Sequence, residues 1–164
     1  MTLDNRVLLD DPLSDGRQSD TAMMVWRGTA RMMRQMDFSC LAEVSLASGR
    51  RADLLALGPK HEVWIIEVKS SIADFRADTK WPDYRQHCDR LFFATHPDVP
   101  AELFPEEAGL IISDGYEAHM LREAPEHKLA AATRKSVTHR FARAAANRLH
   151  GLADPDLATA LRTG

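Results

Sequence analysis

At 164 residues, with 45% hydrophobic and 27% charged residues, the chain is sized for one domain around a single core and has ordinary globular composition. A formal net charge of −3 argues against a uniformly basic surface, and the two cysteines, Cys40 and Cys88, offer neither a disulfide framework nor a zinc spacing. No run reaches the apolar length of a membrane span and no basic-then-apolar leader opens the chain, so a cytoplasmic protein with no membrane partner is expected.

Taken in chain order, residues 1–18 carry Asp10-Asp11-Pro12 and Asp15-Gly16 and read as an irregular acidic lead. Residues 19–151 read as a single domain and 152–164 as a tail. Met23, Met24, Trp26, Ala30 and Met33 recur at helical spacing and predict a helix over Thr21–Gln35, capped by Ser19 or Asp20. Phe38–Leu46 reads as a strand, Ser48-Gly49 as a turn, and the next strand carries Asp53. Val63–Lys69 is apolar on both faces, as a central strand is. Behind it Ser71 and Asp74 have the spacing of a capping box, and Pro82 suits the first turn of a further helical segment to about Cys88. Leu91–Ala94 and Gly109–Ile112 are short buried-strand runs; Tyr116–Leu121 is placed to pair antiparallel with the second around Asp114-Gly115. A long helix is predicted from about Glu126 to Leu149, ended by Gly151.

The chemistry concentrates at Asp53, Glu67 and Lys69. Strand alternation puts Glu67 and Lys69 on one face and Trp64, Ile66 and Val68 on the other. Asp53 falls opposite Glu67 if the hairpin loop is the three residues Pro59–His61; one residue more would throw it to the back of the sheet. Two carboxylates beside a lysine are what magnesium-dependent phosphodiester hydrolysis requires: hard oxygen ligands and a cation near the scissile phosphate. The plainer reading is a cross-strand ion pair on a wet sheet face, worth little. The apolar context of strand 63–69 opposes it, because charges in a buried strand are costly unless paired or metal-bound. A second E-x-K triplet, Glu126-His127-Lys128, follows Pro125 with no strand before it and receives no catalytic weight.

An acidic residue, a strand turn and then E-x-K resembles the PD-(D/E)XK nuclease superfamily, on Asp53, Glu67 and Lys69. Ala52 stands where that motif often has proline, a change that removes no ligand. Arg50-Arg51-Ala52-Asp53, Glu67-Val68-Lys69-Ser70-Ser71, Ala73–Asp78, Lys80-Trp81-Pro82 with Tyr84, and Cys88-Asp89-Arg90 resemble the MmcB-like family of bacterial DNA repair proteins over roughly residues 20–150. The resemblance implies an α/β restriction-endonuclease-like core, a central mixed β-sheet flanked by helices, and a role in DNA repair. It implies Mg2+ (or Mn2+) held by Asp53, Glu67 and the Val68 backbone carbonyl, with Glu43 either a further carboxylate or an edge-strand charge facing water. Lys80 and Tyr84 would position DNA, and Arg50 and Arg51 would meet its backbone.

From His127 to His150 there are six basic residues, Arg134, Arg140 and Arg143 among them, and no acidic one, which suits a local phosphate-binding patch. The same run equally suits the solvated side of a helix. The resemblance makes DNA the expected partner, with a homodimer or other repair proteins as further partners, since a domain this small needs a second copy to cut both strands. The rival classes are a repair scaffold that binds nucleic acid without cutting it and an E-x-K hydrolase with another substrate. Metal titration separates the first from a nuclease.

Overall fold

The computed structural model describes residues 19–156. Helix α1 (Asp20–Gln35) leads into strands β1 (Ser39–Ser45), β2 (Arg51–Leu57) and β3 (Val63–Lys69). Helix α2 (Ile72–Ala77) and a 3-10 helix (Trp81–His87) cross to β4 (Arg90–Thr95), followed by β5 (Gly109–Ser113), β6 (Ala118–Arg122) and helix α3 (Ala131–Ala153). The six strands form one mixed sheet in chain order. β1 to β3 are an antiparallel meander, β3 to β5 run parallel, and β6 returns antiparallel on β5. This is an α/β fold consistent with a restriction-endonuclease-like core. Among the described residues no helix is long and apolar enough to cross a membrane.

α1 covers one face. Its N-cap is Ser19, whose hydroxyl accepts the Ala22 N–H at 3.1 Å, and its buried residues are Val25, Gly28, Thr29, Met32 and Met33. That i, i+3, i+4, i+7, i+8 stripe is what a helix needs to lie on a sheet. It packs on Leu54, Ala56, Ile66, Val68, Phe92 and Ala94. On the opposite face Val137 of α3 joins Leu55, Val63, Ile65 and Leu91. β3 is the third of six strands and buried along nearly its whole length, the central position its composition predicts.

Two predicted boundaries move. α3 begins at Ala131, not near Glu126; residues 123–130 form no helix, and the Ala130 N-cap is extended. His127 N–H donates to the Asp89 carbonyl at 2.7 Å and Leu129 N–H to the Asp89 carboxylate at 2.8 Å, which ties this segment to Asp89 ahead of the helix. At the other end Gly151 lies inside the helix, which runs to an Asp154 C-cap just before Pro155. The acidic lead lies outside the described residues, as does the tail beyond 156.

Candidate active site

The β2–β3 hairpin sets the register. Gly58 N–H donates to the Glu62 carbonyl at 2.9 Å and His61 takes φ 68°, leaving Pro59, Lys60 and His61 as the loop. A left-handed third loop residue is the usual closure of a three-residue hairpin. Leu57 then pairs with Val63 and Leu54 with Ile66. One step further, this register sets Asp53 opposite Glu67.

At that step the ladder opens, and side chains take over from main-chain pairing. Val68 N–H donates to Asp53 Oδ2 at 2.9 Å, and Asp53 N–H donates to Glu67 Oε1 at 3.2 Å. On the other side of β2 the pairs Ala42–Leu54 and Val44–Ala52 flank a missing one, where Glu43 adopts φ 53°. A glutamate in the left-handed region is strained, and such strain persists where surrounding structure enforces it. Here Arg148 from α3 donates to the carbonyls of Ala42 and Glu43. Asp53 therefore sits where both neighbouring ladders part.

Asp53, Val68, Lys69, Ser70 and Asp74 line an open cleft of about 300 Å3, with Ser19 and Ala22 from the start of α1. Glu67 is 3% exposed. Burial first, then the adjacent Asp53 charge, push its carboxyl well above the ordinary range. Burial raises Asp53 too, opposed by the Val68 N–H and by a hydrogen bond from Glu67. Two close carboxyls out of water disfavour each other's ionisation, and the stronger upward push falls on Glu67. Lys69 is placed differently from the sequence picture. Its ammonium pairs with Asp78 at 2.7 Å, and both side chains are largely buried. Burial works most strongly against the lysine charge, but the bond and charge of Asp78 together with the Glu67 and Asp53 charges outweigh it and its pKa is raised; Lys69 and the Lys80 and Trp81 N–H groups hold Asp78 low against its own burial.

The outlying candidates divide. Glu43 pairs with Arg51 at 2.5 Å. Among the described residues no three His, Cys, Asp or Glu side chains group as a ligand set, so Glu43 is not gathered with Asp53 and Glu67. Arg50 is held by Asp83 on the 3-10 helix, at 2.6 and 2.8 Å. Tyr84 donates its hydroxyl to the Arg51 carbonyl at 3.0 Å; burial and then the Glu67 and Asp53 charges raise its pKa, which places it beside the site as a brace for β2. Lys80 is exposed at the start of the 3-10 helix. Arg134 corrects the basic-patch expectation: it forks onto both oxygens of Asp89 at 2.6 and 2.8 Å and so is occupied in the fold. Arg140 and Arg143 are exposed on α3.

Two acidic residues escape sequence reading as site residues. Asp74 is legible only as a helix cap, and it does accept the Ser70 N–H at 3.0 Å. Asp78 carries one local signal, an acidic residue two before Lys80 in the approach to Trp81-Pro82, the pattern of a side chain that turns back on the main chain.

The profile of the family described as DNA repair protein MmcB-like matches residues 9–156, most of the chain. The chain belongs to the MmcB-like family. That membership supports a role in DNA repair for this MmcB-like chain. A solved structure described as a protein of unknown function from Silicibacter pomeroyi is similar at 47% identity and a TM-score of 0.81, covering 85% of this chain and 95% of that one. No curated protein matches.

Proposed function

We propose that this MmcB-like protein is a divalent-cation-dependent nuclease that hydrolyses phosphodiester bonds of DNA during repair. The observation that carries the reading is the Asp53–Glu67 pair. Both carboxyls are turned into the gap of an opened ladder, and each accepts a main-chain N–H. Purely structural needs would be met by two ordinary ladder bonds; a pair of adjacent carboxyls kept out of water is a costly substitute.

The residues fit a hard cation. The donors are carboxylate oxygens, and Lys69, whose charge acts on both, is itself engaged by Asp78. Asp53 and Glu67 would hold the ion, with the carbonyl of Val68, which lines the same cleft, as the third oxygen. Mg2+ or Mn2+ supplies Lewis acidity toward a phosphodiester oxygen and toward water. Glu67 would have to be ionised to serve as a ligand, and the cation would supply the positive charge that its buried position otherwise lacks. Lys69 stays protonated, so it offers hydrogen bonds and positive charge to a phosphate in the cleft rather than a base.

The test is incubation of the purified protein with a panel of end-labelled duplex, flap, junction and single-stranded DNAs, with Mg2+, Mn2+ and EDTA in parallel. Cleavage that needs a cation and disappears in Asp53→Ala supports the reading. No cleavage of any substrate under either metal, with repair function retained by the same variant in a deletion strain, would leave the non-cutting repair scaffold in its place.

A further inference from the structure

The Lys69–Asp78 pair has no counterpart in the sequence motif, and its geometry has a consequence for the carboxylates. Asp78 is not a loose surface partner. Its Oδ1 accepts the Lys80 N–H at 2.9 Å while Oδ2 takes the Lys69 ammonium at 2.7 Å. Trp81 N–H also donates to it. The carboxylate is therefore fixed by the main chain that turns from α2 into the 3-10 helix, and with it the end of the lysine.

Lys69 is 7% exposed at the end of β3, two residues from Glu67, and it feels the Glu67 and Asp53 charges as well as that of Asp78. A buried ammonium must have a partner. Were Asp78 absent, the charges already acting on Lys69 would be those of the two carboxyls between β2 and β3, with Asp74 on the same cleft. A four-carbon stem with freely rotating bonds lets the ammonium turn toward them.

We propose that Asp78 is a positioning residue that holds Lys69 out of the cation site, so that Asp53 and Glu67 are left for the divalent ion instead of being neutralised by the chain's own lysine. The inference rests on the metal-site reading above. Asp78 touches neither ion nor substrate; it acts through where Lys69 is pinned.

The test measures Mn2+ binding to the full chain by the loss of the free-ion electron paramagnetic resonance signal, with no DNA present. Asp78→Asn should bind Mn2+ about tenfold more weakly or worse, the scale on which outer partners of a metal site act. The decisive variant is the double substitution Asp78→Asn with Lys69→Met: removing the displaced ammonium should return affinity to that of Lys69→Met alone. Asp78→Glu, which keeps a carboxylate, should fall between wild type and Asp78→Asn and serves as the comparison should the asparagine variant fail to fold. Wild-type affinity in Asp78→Asn, or a loss in the double variant as large as in the single, overturns the proposal and leaves the metal site standing. A wild-type chain that binds no Mn2+ overturns both.

Discussion

Glu67 is a carboxyl that the fold keeps out of water beside another carboxyl. Its pKa is raised, so by linkage its contribution to stability is full below the ordinary glutamate value and is lost as pH rises toward the folded value. At pH 8 without divalent ions the pair should burden the fold. Gln at position 67 keeps the oxygen that accepts the Asp53 N–H and replaces the ionisable oxygen with a permanent donor. Glu67→Gln is therefore expected to raise the melting temperature in EDTA, by about 3 °C for each kcal/mol gained, and more at pH 8 than at pH 5. Calorimetry at the two pH values checks this, and an equal shift at both would detach the effect from ionisation. In catalysis the order reverses. Asp53→Ala and Glu67→Ala should abolish metal-dependent cleavage, whereas Lys69→Ala should leave both ligands and lower kcat by about 10²-fold, the loss typical of one preorganised electrostatic group.

At the level of elements, one acidic side chain joins three segments. The Asp89 carboxylate accepts the Val63 N–H at the start of β3, the Leu129 N–H ahead of α3, and both arms of Arg134 within α3. Asp89→Ala strands a guanidinium and two N–H groups together and should cost about 3–5 kcal/mol. Arg134→Met should cost less, since the carboxylate keeps its two N–H donors. The Arg134 bond and those N–H donors outweigh burial and hold the Asp89 pKa down, so its stabilisation is present above the ordinary aspartate value and lost as pH falls through the folded one. Urea midpoints from pH 7 to pH 3 should show that fall in wild type and a shallower one in Arg134→Met. The same residue explains where sequence reading ends. The helix stripe of α1 and the cap at Ser71 are local signals; the sequence leaves the length of the β2–β3 loop open, and the observed three residues, Pro59–His61, set Asp53 against Glu67. The partners of Lys69, Arg50 and Arg134 lie 9, 33 and 45 residues away along the chain, and no spacing rule reveals them. The sequence pattern starts α3 about five residues early because its hydrophobic periodicity extends into a segment tied to Asp89 ahead of the helix.

Across the whole molecule the charge is negative in sum, and an acidic protein that engages DNA must do so through a local surface. Of the basic residues expected to form it, Arg134 and Arg148 turn inward to Asp89 and to the β1 carbonyls, and Arg50 is paired with Asp83. Arg140 and Arg143 remain exposed on α3, and Lys80 is exposed beyond α2. Those three, with Lys128 and Lys135 of the basic run that carries Arg140, are exposed side chains able to release counterions from a phosphate backbone. Charge reversal at Arg140 and Arg143 should weaken DNA binding uniformly across sequences and make the slope of log affinity against log salt shallower by roughly 1 for each phosphate no longer neutralised. Arg134→Glu should behave differently: it breaks the Asp89 junction, so unfolding is its first effect. Affinities measured by fluorescence anisotropy between low and moderate salt, alongside a melting curve for each variant, separate the two. An unchanged salt slope in the folded Arg140→Glu, Arg143→Glu double variant would take α3 out of the DNA-facing surface and leave Lys80 and the cleft itself to hold the strand.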